Sequence, residues 1–191
     1  MTGSPIITTA STAIAAGTAV AMAVRKLTRS VAFAPRRWTD RKREVVQASW
    51  RALLDGWGQG NTEKVGVEVL RRLFQKHPAF VHLFSFRDQP KATLFLSAPV
   101  RLHARLVAET LSRIVGELGD PVAMEKTLRE LGNRHKTKMV KRAHYKAFGA
   151  ALLSLLSDKL TGEEFRDETR RAWQEIWALI SSTMMKATPD N

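Results

Sequence analysis

The chain has no cysteine among its 191 residues. That excludes a disulfide framework and any thiolate ligand to a metal. It fits a reducing compartment, and the expectation is cytoplasmic. No segment alternates apolar and polar residues as a half-buried strand would, so the chain reads as all-α. Acids are scarce: 18 Asp and Glu stand against 31 Lys and Arg, a net charge of +13. The scarcity is complete in residues 1–38, which hold Arg25, Lys26, Arg29, Arg36 and Arg37 and no acid. The rest of the excess is spread over the remainder of the chain. Such charge raises nucleic acid or an anionic membrane as a partner. No RNP, zinc-finger or helix-turn-helix pattern accompanies it, so no nucleic-acid partner is expected. A solvated basic surface is the simpler explanation.

Residues 1–38 form an extension unlike the remainder of the chain. From Ile6 to Val24 there is no charge, and Ala and Thr dominate. Three readings stay open: a disordered tail, an organellar targeting peptide, or a weakly apolar membrane-associated segment. The main domain is expected at 39–187, with 188–191 as a tail. About 150 residues form one domain of ordinary size that can bury a real core.

Helical punctuation is regular along that domain. Thr39 reads as the cap of a first helix with Val45, Val46, Ser49, Trp50, Leu53 and Leu54 on one face. Gly56, Gly58 and Gly60 end it. Asn61 or Thr62 caps a second helix that buries Val65, Val69, Leu70, Leu73 and Phe74. Pro78 opens a short helical turn, and Phe80, Leu83, Phe84 and Phe86 crowd the corner after it. Residues 87–96 read as an irregular loop. Ser97 and Pro99 start a third long helix. Gly119-Asp120-Pro121 breaks it, and another helix runs from about Val122 to Lys136. A further helix begins near Lys141 and carries Tyr145, Phe148, Leu152, Leu153 and Leu156. Thr161 and Glu164 read as a capping box for a last helix that buries Phe165, Trp173, Ile176, Trp177 and Ile180.

Two histidines stand out against this background. His135 shares a helix face with Leu128 and Leu131. His103 sits inside an apolar stripe of Val100, Val107, Leu111, Ile114 and Leu118. A histidine on an apolar face is commonly a core residue whose ring nitrogens find hydrogen bonds. Two long helices, each bringing one imidazole to an apolar interior, open a second reading. A flat apolar ligand with a metal at its centre takes one imidazole from each side, and haem is such a ligand. His77, His82 and His144 lie near helix boundaries and are not expected to ligate.

Several segments, in order and with spacing kept, carry a family resemblance. They are QASWRAL in the first helix, VLRRLFQKHPAFVHLFSF, LHARLV around His103, LGNRHKTKMV around His135, and RAWQEIW in the last helix. The two histidines lie 32 residues apart. From about Thr39 to Met185 the chain resembles the globins, and within them the neuroglobin and globin X branch. The resemblance implies a globin fold of about seven to eight helices around a haem pocket. It implies haem b, since no cysteine is present for covalent attachment. It implies His135 as the proximal iron ligand, with its second ring nitrogen bonded to the Leu131 carbonyl one turn back. It implies His103 at the distal position, either ligating iron or hydrogen-bonding dioxygen. Phe84 matches the aromatic that lies against the haem. Leu70 and Val107 are expected on the distal wall, and Leu131, Val140, Tyr145 and Phe148 on the proximal and inner walls. Gly66 and Ala104 match positions where two helices nearly touch. Arg87, Arg105 and Lys138 are candidates for the haem propionates. Leu106 stands where the family often has a Lys. Some relatives in that branch carry N-terminal acyl groups, but the Met-Thr-Gly start and the lack of cysteine match neither acylation signal.

The function so implied is reversible binding of dioxygen and other diatomics such as NO and CO, for storage, transport or sensing. Two alternatives stand beside it. One is bis-histidine redox work, NO dioxygenation or nitrite reduction, with electrons supplied by a reductase partner. The other is a haem-free interaction module. Membrane or organellar association would run through residues 1–38.

Overall fold

The computed structural model describes residues 39–58, 61–161 and 165–187. The expectations for residues 1–38 and 188–191 lie outside them. The described residues hold six α-helices, three 3-10 segments and no strand.

Helix α1, Asp40–Asp55, starts where Thr39 Oγ1 accepts the Lys42 N–H at 3.3 Å. It ends at Gly56 and buries Val46, Ser49, Trp50 and Leu53. Helix α2, Thr62–Lys76, buries Val65, Gly66, Val69, Leu70, Leu73 and Phe74. Asn61 precedes it, but its side chain donates to the Trp57 carbonyl and caps nothing. Pro78–Leu83 is a 3-10 turn. Lys91–Leu96 is a second one, so the stretch read as irregular is partly ordered by backbone hydrogen bonds.

Helix α3, Ala98–Gly116, comes after Ser97, whose hydroxyl turns back to the Leu94 carbonyl instead of capping forward. A 3-10 turn, Glu117–Gly119, leads to α4, Pro121–Lys136. Asp120 caps α4 firmly: its Oδ1 accepts from the N–H groups of Val122 and Ala123 at 3.1 and 3.0 Å. Pro121, with no N–H to satisfy, suits the first position. Helix α5 is Arg142–Lys159 and α6 is Asp167–Lys186. Helix α6 begins after Arg166, not at Thr161. Phe165 lies ahead of the helix, buried and covered by the Arg170 guanidinium. Glu164, the other half of the expected capping box, lies outside the described residues.

The core is continuous. Trp173, Leu53, Leu70, Ile114, Leu128, Leu152, Leu155, Leu156, Ile176 and Ile180 are all but fully buried. Each such side chain contributes roughly 1.5–3 kcal/mol by leaving water. A buried hydrogen-bond chain ties the first and last helices: Trp173 donates to Ser49 Oγ at 2.9 Å, and Ser49 donates to the Val46 carbonyl at 3.0 Å. Trp50 donates to Ser112 Oγ and lies 5.9 Å from the Trp173 ring.

Pairwise packing sets up the site. Helix α3 packs chiefly on α2, and α4 chiefly on α6. Helices α3 and α4, which carry His103 and His135, pack little on each other. Each histidine is thus held from its outer side by a different helix pair.

Candidate haem site

The α2–α3 crossing holds the His103 side. A Cβ on Gly66 would lie 1.9 Å from the Ala104 carbonyl oxygen, so the two backbones are in contact and only glycine fits. Ala104 is fully buried beside His103. The α4–α6 crossing does the same for His135. A Cβ on Gly132 would lie 2.4 Å from the Met184 carbonyl oxygen and 2.8 Å from Ala187 Cβ. Gly132 lies in the helical turn before His135, and sequence reasoning does not single it out. Its one signal is its place, a glycine directly after Leu131 on an otherwise ordinary helix.

His135 is half-buried in the last turn of α4. Its Nδ1 is 2.9 Å from the Leu131 carbonyl oxygen, so Nδ1 carries the proton and donates. That fixes the tautomer and leaves Nε2 with its lone pair. Burial lowers the imidazole pKa below its ordinary 6.5; the bond to Leu131 opposes this, and the Arg134 charge adds to it. His135 is therefore neutral near pH 7, the form that ligates iron.

His103 is also half-buried, and neither of its ring nitrogens has a hydrogen-bond partner among the described residues. Its neighbours are aromatic. Phe84 meets it edge-on at 5.1 Å and Phe86 at 5.8 Å. Burial lowers its pKa, and charge on His135 lowers it further. The two imidazoles thus lie within electrostatic reach of each other.

The other expected wall residues vary in how close they come to the histidines. Leu70 is buried on α2, and Val107 is half-buried one turn beyond His103. Leu131 is half-buried and supplies the carbonyl to His135. Val140 is half-buried, and its N–H donates to the His135 carbonyl at 3.3 Å. Tyr145 is buried with its ring 6.1 Å from that of His135, and burial raises its pKa. Phe148 stacks on Trp177 at 5.2 Å and makes no ring contact with either histidine among the described residues. Phe84 stacks on Phe86 at 4.9 Å and meets Phe74 edge-on at 5.2 Å. Phe86, only 3% exposed, belongs to this aromatic cluster around His103, although the sequence suggests only a crowded corner. Arg87 reaches Asp88, Arg105 pairs with Glu109, and Lys138 is exposed without an ion pair among the described residues. His144 is half-buried, and its Nδ1 accepts the Lys141 N–H at 2.8 Å.

A donor set of two neutral imidazoles, one oriented by a backbone carbonyl and one without a protein partner, fits a planar iron macrocycle. Among the described residues no group of three or more His, Asp or Glu could hold a bare metal ion.

The globin family model matches residues 67–184, which include both histidines. Cytoglobin-2 of Oryzias latipes is 31% identical over 145 residues, covering 74% of this chain and 78% of that protein. The chain belongs to the globin family. Neuroglobin-2 of Oncorhynchus mykiss is 28% identical over 155 residues, covering 80% of this globin and 94% of that protein. Among solved structures, Drosophila melanogaster globin superposes with a TM-score of 0.69 at 17% identity, covering 80% of this chain and 96% of its own. Another solved structure, with the same figures, is described as Drosophila melanogaster hexa-coordinate hemoglobin in a study of cyanide binding. The globin fold and the neuroglobin-like character expected from the sequence both hold. As a member of this family the protein is a haem globin, and globins bind small diatomic ligands.

Proposed function

We propose that this globin holds haem b between His135 and His103 and binds dioxygen and other small diatomics reversibly. When bound, haem supplies an iron centre that takes such ligands at its sixth position. The carrying observation is the pair of half-buried imidazoles held on two helices that pack little on each other.

The protein's own groups have separable tasks in this reading. The Leu131 carbonyl holds the Nδ1 proton of His135, so that Nε2, with its lone pair free, would be the atom that holds the haem. Phe84, Phe86, Leu70 and Val107 exclude water from the distal side. His103, neutral and unpaired within the described protein, would be the second residue to hold the haem and would compete there with a small diatomic. The Drosophila hemoglobin that shares this fold is described as hexa-coordinate, which supports that role for His103. The same imidazole would also be the protein's hydrogen-bond donor toward such a ligand.

Carbon monoxide binding to the ferrous protein tests the displacement. A competing internal ligand lowers apparent affinity by the fraction of time the site is open. His103→Leu therefore binds CO more tightly and faster than the wild type. Unchanged affinity and rate would mean that His103 does not occupy the iron.

A second reading, single-electron transfer, has one specific observation behind it. The segment around and after His135 is strongly basic and carries no acid, as a docking site for a charged redox partner would.

A further inference from the structure

Between Glu130 and Asp158 the sequence contains no acid. It contains Arg134, Lys136, Lys138, Lys141, Arg142 and Lys146. All six are exposed, and none makes an ion pair among the described residues. The domain's positive excess is thus not evenly spread. Many cations elsewhere are paired: Arg41 with Glu168, Lys42 with Glu175, Arg72 with Glu68 and Asp158, Arg101 with Glu63.

Helix energetics explain only two of these six cations. Arg134 and Lys136 end α4, where the helix dipole favours positive charge. Lys141 and Arg142 stand at the start of α5, where it disfavours positive charge and favours Asp or Glu. No acid stands in that first turn. These two residues work against the stability of their own helix.

The turn between the helices has the same character. The His135 carbonyl accepts from the N–H groups of both Lys138 and Val140, which closes the corner. Met139 adopts φ 59°, the left-handed region, and is 69% exposed. Glycine is the unstrained residue at such a helix end. Methionine there places one exposed, flexible apolar side chain in the turn between Lys138 and Lys141.

We propose that this corner is the docking surface for an acidic electron-donor protein that contacts the globin beside His135. The inference rests on the haem reading above. Six cations around one apolar tip match an acidic face with a small apolar centre, and such complementarity steers association. The corner presents no fully exposed aromatic ring as a stacking platform for nucleic-acid bases: Tyr145 is buried, and His144 and Phe148 are half-buried. A single methionine is a poor substitute for the broad apolar face of an interfacial membrane element.

The test uses the full haem-loaded chain and plant-type [2Fe–2S] ferredoxin, an acidic one-electron donor, as probe. Equilibrium binding of oxidised ferredoxin and the rate of haem reduction by reduced ferredoxin are measured at low and high salt. A fourfold variant, Lys136→Glu, Lys138→Glu, Lys141→Glu and Arg142→Glu, is compared with wild type. A control reverses four exposed cations elsewhere: Arg51→Glu, Arg113→Glu, Lys126→Glu and Lys186→Glu. The corner variant should lose about tenfold or more in association rate at low salt, and the gap should close at high salt. The control should lose much less. Equal losses in both variants, or no loss in the corner variant, would overturn the proposal. So would tighter corner-dependent binding to phosphatidylserine vesicles or to duplex DNA than to ferredoxin. Binding of oxidised ferredoxin reads the surface alone and the Soret band reads the haem, so failure of one is distinct from failure of the other.

Discussion

Gly66 and Ala104 touch through their backbones: a Cβ on Gly66 would stand 1.9 Å from the Ala104 carbonyl oxygen and 2.9 Å from its Cα. Main chain cannot swing aside as a flexible side chain can. Gly66→Ala must therefore separate α2 from α3, and His103 moves with the crossing. The expected loss is about 1–3 kcal/mol of stability, read as a lower thermal midpoint of the haem-saturated protein. An unchanged midpoint would mean that the helices are not in contact there.

Gly132 gives the matching prediction on the other side. Its contacts with Met184 and Ala187 hold α4 against α6 in the turn before His135. Gly132→Ala should weaken haem retention as well as stability, because the His135 imidazole, the proposed proximal ligand, moves with α4. Haem transfer to an excess of apomyoglobin measures this, and transfer should be faster than from wild type. Equal transfer rates would place the strain elsewhere.

Ser49 links two elements of the core by accepting from the Trp173 indole while donating to the Val46 carbonyl. Ser49→Ala leaves a buried indole N–H without its acceptor. The expected cost is about 1–3 kcal/mol. Urea unfolding should show a lower midpoint with an unchanged slope. An unchanged midpoint would show that another group takes up the indole proton.

Stability of the haem-free protein should fall on acidification, and the sign comes from the two histidines. Burial holds both His103 and His135 below their ordinary 6.5. As pH drops from 6.5 toward the lowered folded values, the unfolded chain takes up protons that the folded one refuses. The unfolded state is then favoured, and stability declines across that window. Above 6.5 both states are neutral at these residues and the contribution is flat. His103→Leu removes one of the two groups and should give a shallower decline of thermal midpoint with falling pH. An equally steep decline would assign the acid sensitivity to other groups.

Much of this is legible in the sequence because it is written in local signals. Thr39, the Gly119-Asp120-Pro121 break and the apolar periodicity place helices without tertiary information. His103 and His135 are visible as the two imidazoles inside apolar stripes. The bond from His135 to the Leu131 carbonyl matches helical spacing. What the sequence hides depends on packing between distant segments. Helix α6 starts at Asp167 because Phe165 is buried ahead of it under Arg170, a contact that a local capping pattern at Thr161 does not encode. Phe86 joins the aromatic cluster around His103 through the path of the chain after Phe84, and Gly132 is required only because α6 lies against it. The acid-free run from 131 to 157 is present in the sequence. Its meaning emerges only when its cations prove exposed and unpaired around one corner.

The visible spectrum of the haem-loaded protein, ferric and ferrous, beside His103→Leu and His135→Ala, tests the central claim most directly. Two axial imidazoles predict a low-spin wild type. They predict a high-spin spectrum in His103→Leu and loss of haem retention in His135→Ala. Wild-type haem retention and an unaltered spectrum in His135→Ala would contradict the assignment.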